Sequence, residues 1–312
     1  MIETNGVTLR TVVEGNGPLV ILLHGWPQCW YLWRHQIEPL VAAGYRVAVP
    51  DQRGFGGSSK PEPVEAYALP VLCDDVVGLA AALGAHEFTL IGHDFGCLVS
   101  WNTALLHPDV CRAVMGLSVP FWTATDSTIN PPGMDDQFWY IRHFQQPRVA
   151  EAELEANLED SLRRLYHALS GDAAPGTWLK QLEFPRNSKI TDVLPAAEEL
   201  PAWLTEDDLK VYLECYQESG FRGPINWYRN LPGLDKLPHM AGARFTQPAA
   251  FAAGADDEVL NYDPEWREKF PRAFDDLRFI EIIKGAGHWL QAEKPAETTA
   301  AMLRFLKGVT PL

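Results

Sequence analysis

Basic residues are scarce in this chain of 312 residues. Lys and Arg number 26 against 41 Asp and Glu, which gives a formal net charge of −15 and a pI of about 5.0. Phosphate backbones and anionic membranes bind clustered Lys and Arg, so no nucleic-acid or membrane partner is expected. The charge reads as a solubilising surface. Cysteine is also sparse. Cys29, Cys73, Cys97, Cys111 and Cys215 are scattered, odd in number and form no C-x-x-C. That pattern excludes a disulfide framework and a structural zinc site, and reduced thiols in the cytoplasm are the expectation. No apolar run approaches the ~20 residues of a membrane helix. Residues 1–9 carry Glu3 and no apolar h-region, so no signal peptide is expected. Repeats and low-complexity tracts are missing too.

What is present alternates. Residues 7–13 and Leu19–Leu23 read as strands around a turn at 15–18, and the second is a continuous apolar run suited to burial on both faces. Helical spacing over 35–43, a strand at 45–50, a helix over 69–83, a strand at 88–91, a helix over 96–107 and a strand at 110–118 follow. Strands alternating with helices predict an α/β fold, a mostly parallel sheet flanked by helices. From 121 to 232 the pattern becomes helical, as at 149–169 and 206–218, without a clear apolar strand. Strand patterns return at 249–253 and 277–283, then a helix over 296–306. The expected organisation is a core domain of residues 1–120 and 233–312, interrupted by a helical lid domain of residues 121–232. Substrate would bind between the two.

The sharpest motif is Gly92-His93-Asp94-Phe95-Gly96, after a strand and before a helix. The G-x-S-x-G nucleophile elbow has that setting, but here the central residue is Asp. A serine that attacked saturated carbon would leave an inert ether. A carboxylate leaves an alkyl ester that water can cleave at the enzyme's own carbonyl. Asp94 therefore points to alkyl electrophiles, either epoxides or carbon–halogen bonds; a helix cap is the bland alternative. Gly285-Ala286-Gly287-His288-Trp289 follows the last predicted strand, and His288 is the candidate base for the hydrolytic water. Asp256 and Asp257 follow the strand at 249–253, where the orienting acid belongs in the order nucleophile, acid, histidine. Asp257 is favoured and Asp256 left as a turn residue. The earlier slot reads Ser118-Val119-Pro120 and holds no acid. His24-Gly25-Trp26-Pro27 follows the buried strand, so the backbone N–H groups of Trp26 and Phe95 are the expected oxyanion hole, and Pro27 is a candidate cis proline.

The stretches HGWPQCWYLWRHQI, VPDQRGFGGSSKP, IGHDFG and GAGHWLQAEKP resemble the α/β-hydrolase fold over essentially the whole chain. Within that fold they resemble the epoxide hydrolases related to the soluble mammalian and plant enzymes. Haloalkane and haloacetate dehalogenases share them in outline. The segment SGFRGPINWYRN is very similar to the epoxide hydrolase lid segment that bears a substrate-contacting tyrosine, which carries over to Tyr228. A second lid tyrosine of that family maps to Tyr140, ahead of PRVAEAEL. Two phenols suit an epoxide, whose oxygen gains charge and needs a proton; a halide needs only N–H donors or a cation. Dehalogenases place a Trp, or an Arg and a second Arg three residues on, just after the nucleophile. Phe95 and Leu98 stand there instead.

The resemblance thus implies an epoxide hydrolase with Asp94, Asp257, His288, Tyr140 and Tyr228 as its catalytic set. Phe138, Trp139, Trp227 and Trp289 are expected to bind a small apolar epoxide. Water is the second substrate, and no metal or cofactor is expected. A homodimer is left open. The alternatives are a dehalogenase using the same nucleophile and a non-catalytic ligand-binding member of the fold, for which the complete triad would be superfluous.

Overall fold

In the computed structural model, residues 1–122 and 125–309 are described. Their strands are β1 (Ile2–Thr4), β2 (Val7–Leu9), β3 (Thr11–Glu14), β4 (Leu19–Leu23), β5 (Arg46–Pro50), β6 (Phe88–His93), β7 (Cys111–Leu117), β8 (Phe245–Gly254) and β9 (Phe274–Ile283). β1 and β2 form a separate antiparallel ribbon. The others make one seven-stranded sheet in the order β3-β5-β4-β6-β7-β8-β9. Only the edge pair β3–β5 is antiparallel; the remaining neighbours run parallel.

β4 shows why the sheet sits where it does. Its residues alternate between two apolar layers, as strand geometry requires. Ile21 and Leu23 face the layer that holds the helices Leu69–Ala82 and Phe95–Leu106. Val20 and Leu22 face the layer of Arg34–Ala42 and Pro295–Val309. All five residues of β4 are buried. The chain leaves β4 toward β5 on one side and returns to β6 on the other. That reversal opens a crevice at the carboxyl ends of β4 and β6, the usual ligand position in an open parallel sheet. His24 and Asp94 follow directly on those two ends.

Between β7 and β8 the described residues are helical, with one isolated bridge, Gln137 to Pro185. Residues 123 and 124, inside the expected lid, lie outside the described residues. Two expected elements are divided. Residues 7–13 split at Arg10, whose N–H donates to Ser58 Oγ at 2.9 Å and whose carbonyl accepts from Asp51 N at 2.8 Å. Both its backbone groups are thus taken by the loop after β5, and pairing changes partner there. Residues 149–169 break into Val149–Glu155 and Leu158–Ala168, because Asn157 caps the second helix by accepting from Asp160 N at 3.3 Å. Among the described residues, no helix is long and apolar enough to cross a membrane.

The helix Phe95–Leu106 is drawn tightly onto β4. A Cβ on Gly96 would collide with the carbonyl oxygens of Leu23 and His24. Gly96→Ala should therefore reduce unfolding stability by about 1–3 kcal/mol, the usual effect of overpacking, read from urea denaturation. A variant as stable as the parent would show that this approach is not tight.

Candidate active site

Asp94 sits between β6 and the helix Phe95–Leu106 with φ 53° and ψ −119°, a left-handed conformation for a residue with a Cβ. That bend turns its carboxylate off the sheet edge toward the loop after β4. Gly25 lies so close that a Cβ there would overlap the Asp94 side chain. The Trp26 N–H donates to Asp94 Oδ1 at 2.8 Å. The Trp26–Pro27 peptide is cis. His24 braces this loop. Burial pushes its pKa down to about 4, so it is neutral; its Nδ1–H faces Gly25 O at 2.9 Å and its Nε2 accepts from Gln52 N at 3.1 Å. Phe95 N–H, the other expected donor, opens the first turn of the helix beside the carboxylate.

His288 lies on the loop after β9, buried at 1% exposure. Its Nδ1 faces Asp257 Oδ2 at 3.1 Å and its Nε2 faces Asp94 Oδ2 at 3.6 Å. Of the two acids after β8, Asp257 is buried and Asp256 exposed. Asp257 also accepts from Val259 N at 3.0 Å and from the Ser118 hydroxyl. Burial works to raise its pKa, but His288, Ser118 and Val259 together hold it below the ordinary carboxylate value. Burial likewise opposes charge on His288, yet Asp257 and Asp94 on either side outweigh it and push its pKa up to about 10. His93 donates to the His288 carbonyl across 2.8 Å; burial and the neighbouring His288 hold it neutral, at about 3.

Glu293, Leu169 and Ser118 are supporting residues that the sequence did not single out. Glu293 accepts from Gly287 N and Trp289 N, both at 2.9 Å, and from Gly171 N of the inserted segment at 2.8 Å. It brackets His288 on both sides. Burial raises its pKa to about 7 against these donors. His288 N itself donates to Leu169 O at 2.9 Å. Ser118, in the slot read as lacking an acid, has φ 50° and bonds Asp257. Only the motif GAGHWLQAEKP carried a signal for Glu293.

Above Asp94 lies a cavity of about 560 Å³ lined by Phe95, Leu98, Trp139, Tyr140, Tyr228 and Tyr262 among others. Tyr140 begins the short helix Tyr140–His143, and Tyr228 lies in the helix Arg222–Arg229. Their rings are 5.7 Å apart, and Tyr228 meets Phe95 edge-on at 4.6 Å. Arg229 ties the two helices together. It donates to Phe144 O at 3.1 Å and Gln146 O at 3.0 Å and pairs with Glu151 at 2.6 Å. Burial pushes both phenols well above the usual tyrosine range, so both are protonated.

Trp139 lines the cavity as expected. Phe138, Trp227 and Trp289 do not. Phe138 is fully buried against His143. Trp227 donates to Arg53 O at 3.0 Å, and Trp289 to Tyr166 O at 3.0 Å. Each is packed behind the neighbour that faces the site, and their expected role as substrate contacts is corrected to one of packing.

Raising a histidine's folded pKa stabilises the protein fully below its unfolded value. The gain disappears as pH climbs through the folded value. The stability difference between the parent and His288→Asn should therefore be largest below pH 6.5 and shrink toward pH 10. Urea denaturation across that window checks it; a constant difference would show that His288 is not charged in the folded protein.

An α/β-hydrolase fold family model matches residues 18–295. Epoxide hydrolase A of Mycobacterium tuberculosis is 40% identical over 99% of this chain and 97% of its own length. Epoxide hydrolase B of the same organism is 34% identical over 100% and 98%. The crystal structure of epoxide hydrolase A from Mycobacterium thermoresistibile superposes with a TM-score of 0.90 at 44% identity, covering 99% of this chain and 97% of that one. The chain belongs to the α/β-hydrolase fold family and, within it, to the epoxide hydrolases.

Proposed function

We propose that this enzyme opens epoxides to vicinal diols through a covalent ester on Asp94. The observation that carries the reading is the meeting of one carboxylate and two protonated phenols, Asp94, Tyr140 and Tyr228, on a single cavity. Trp26 holds Asp94 Oδ1, so Oδ2 is the attacking oxygen. Oδ2 bonds to a ring carbon while the phenols bind the ring oxygen and one of them supplies its proton. Water, deprotonated by His288, then attacks the Asp94 carboxyl carbon. Trp26 and Phe95 N–H groups stabilise the oxyanion, and the diol leaves.

The charge on His288 orders these steps. With Asp94 ionised, His288 lies between two carboxylates and keeps its proton to about pH 10. Forming the ester removes one of those negative charges. The proton affinity of His288 falls, and the base becomes available once there is an ester to cleave. Residues 121–232 act in this scheme as the lid domain that brings the phenols to the core domain.

The dehalogenase reading loses two of its candidate halide donors. Trp139 Nε1 is committed to Thr128 O at 2.8 Å and Trp227 Nε1 to Arg53 O at 3.0 Å, so neither offers its N–H to a halide. Aromatic lining around Asp94 favours small apolar epoxides.

Two experiments test the scheme. Asp94→Ala should abolish diol formation, while His288→Asn should still be alkylated and accumulate an Asp94 ester visible by mass spectrometry. An unmodified Asp94 in His288→Asn treated with styrene oxide would overturn the covalent route. The double variant Tyr140→Phe with Tyr228→Phe should lose alkylation by at least ~10²-fold, the usual worth of general acid catalysis; wild-type alkylation would refute phenol assistance.

A further inference from the structure

The inserted segment does more than carry the phenols. It also grips the loop that bears His288, through residues 169–171 just after the helix Leu158–Ala168. Backbone meets backbone there. A Cβ on Gly287 would collide with Gly171 N, Leu169 O and the carbonyl carbon of Ser170, and a Cβ on Gly171 with Gly287 N. At the centre of this junction stands the carboxylate of Glu293, which closes the short helix Leu290–Glu293. Its Oε2 accepts from Gly287 N at 2.9 Å and from Gly171 N at 2.8 Å, and its Oε1 from Trp289 N at 2.9 Å. The last turn of the helix Leu158–Ala168 is pinned to the core twice more. Trp289 Nε1–H donates to Tyr166 O at 3.0 Å, and the Tyr166 hydroxyl donates to Pro27 O at 2.8 Å.

Helix capping alone does not account for Glu293. A side chain that reaches back to the N-cap N–H of its own helix needs only the bond to Trp289. Gly287 and Gly171 lie outside that helix. All three partners donate, so the junction calls for two accepting oxygens. A carboxylate has them; an amide of the same shape has one oxygen and turns its NH2 toward an N–H. Gly287 and Trp289 are the two chain neighbours of His288. One carboxylate therefore sets the backbone on both sides of the base and refers it to residue 171.

Position matters more to one step than to the other. Ester formation uses Asp94 and the phenols. Hydrolysis needs His288 Nε2 to hold a water against the Asp94 carboxyl carbon, and Nε2 stands 3.6 Å from Asp94 Oδ2. Moving such a group by ~1 Å is enough to slow a reaction about 10²-fold. We infer that Glu293 is a positioning residue for the hydrolytic step, holding His288 in register with the ester by locking its loop to residues 169–171. The inference rests on the covalent scheme proposed above. It divides the lid between the two steps: Tyr140 and Tyr228 serve ester formation, and the end of the helix Leu158–Ala168 serves ester hydrolysis.

Single-turnover kinetics with styrene oxide separate the two steps. They are run at about pH 8, above the value of about 7 to which burial raises the Glu293 pKa. Glu293→Gln should slow ester hydrolysis on the order of 10- to 100-fold, leave ester formation at the parent rate and so accumulate the Asp94 ester, read by mass spectrometry. Glu293→Asp keeps both accepting oxygens one methylene short. It should slow hydrolysis by a smaller factor, again without touching ester formation, and it decides alone where Glu293→Gln does not fold. Hydrolysis at the parent rate in the deciding variant would overturn the inference. So would an equal slowing of both steps, which marks a merely structural role, or a Glu293→Asp no faster than Glu293→Gln. If His288→Asn yields no Asp94 ester, the scheme itself fails. If His288→Asn accumulates the ester while Glu293→Gln hydrolyses it at the parent rate, only the role of Glu293 fails.

Discussion

The molecule has to keep a negative charge at the floor of an aromatic cavity. Asp94 is 17% exposed, and a carboxylate in such surroundings is costly unless donors meet it. The Trp26 N–H, the imidazolium of His288 and the N-terminal end of the helix Phe95–Leu106 all converge on it. Much of the architecture follows from that requirement. The elbow backbone is strained so that the carboxylate clears the sheet, and Gly25 and Gly96 are small so that β4 and the helix can close around it. The reversal of strand order between β4 and β6 supplies both halves of the arrangement from neighbouring strand ends.

His288 faces the opposite difficulty. On the proposed scheme it must be charged when Asp94 is charged and neutral when water has to be activated. Its position between Asp257 at 3.1 Å and Asp94 at 3.6 Å couples the two conditions. That coupling works only if the ring cannot swing away. Glu293 fixes the backbone on both sides of it, His93 holds its carbonyl, and Leu169 accepts its N–H. Glu293 and Leu169 also join the loop to the inserted helical segment, so the geometry of the base depends on the segment that bears the phenols.

Local features were legible in the sequence. The elbow is five consecutive residues whose chemistry and turn geometry are set by near neighbours, and the apolar run Leu19–Leu23 announces a strand buried on both faces. Asp257 was favoured over Asp256, and burial separates them. Directions of side chains were not legible. Trp227 adjoins Tyr228 on a helix, where successive residues point about 100° apart, so one faces the cavity and the other Arg53. Phe138 and Trp139 adjoin in extended backbone, which sends them to opposite sides. An aromatic-rich composition cannot separate such pairs. Ser118 stayed hidden for another reason. Its partner Asp257 lies 139 positions away, and no local spacing records such a pairing.

The leaving group explains why the phenols belong to a separate segment. On the proposed scheme, when an epoxide opens, the departing oxygen stays tethered to the carbon that Asp94 has captured, two bonds away. The groups that stabilise it must therefore stand opposite the nucleophile across one small molecule, and a single sheet edge cannot present both sides. Asp94, Asp257 and His288 come from the ends of the sheet; Tyr140 and Tyr228 come from helices inserted between β7 and β8 and bound to each other through Arg229. On that scheme, carbon attack and oxygen stabilisation are held by different parts of the chain. On the proposed scheme, a change in the inserted helices alters which leaving group is served without touching the nucleophile or its base.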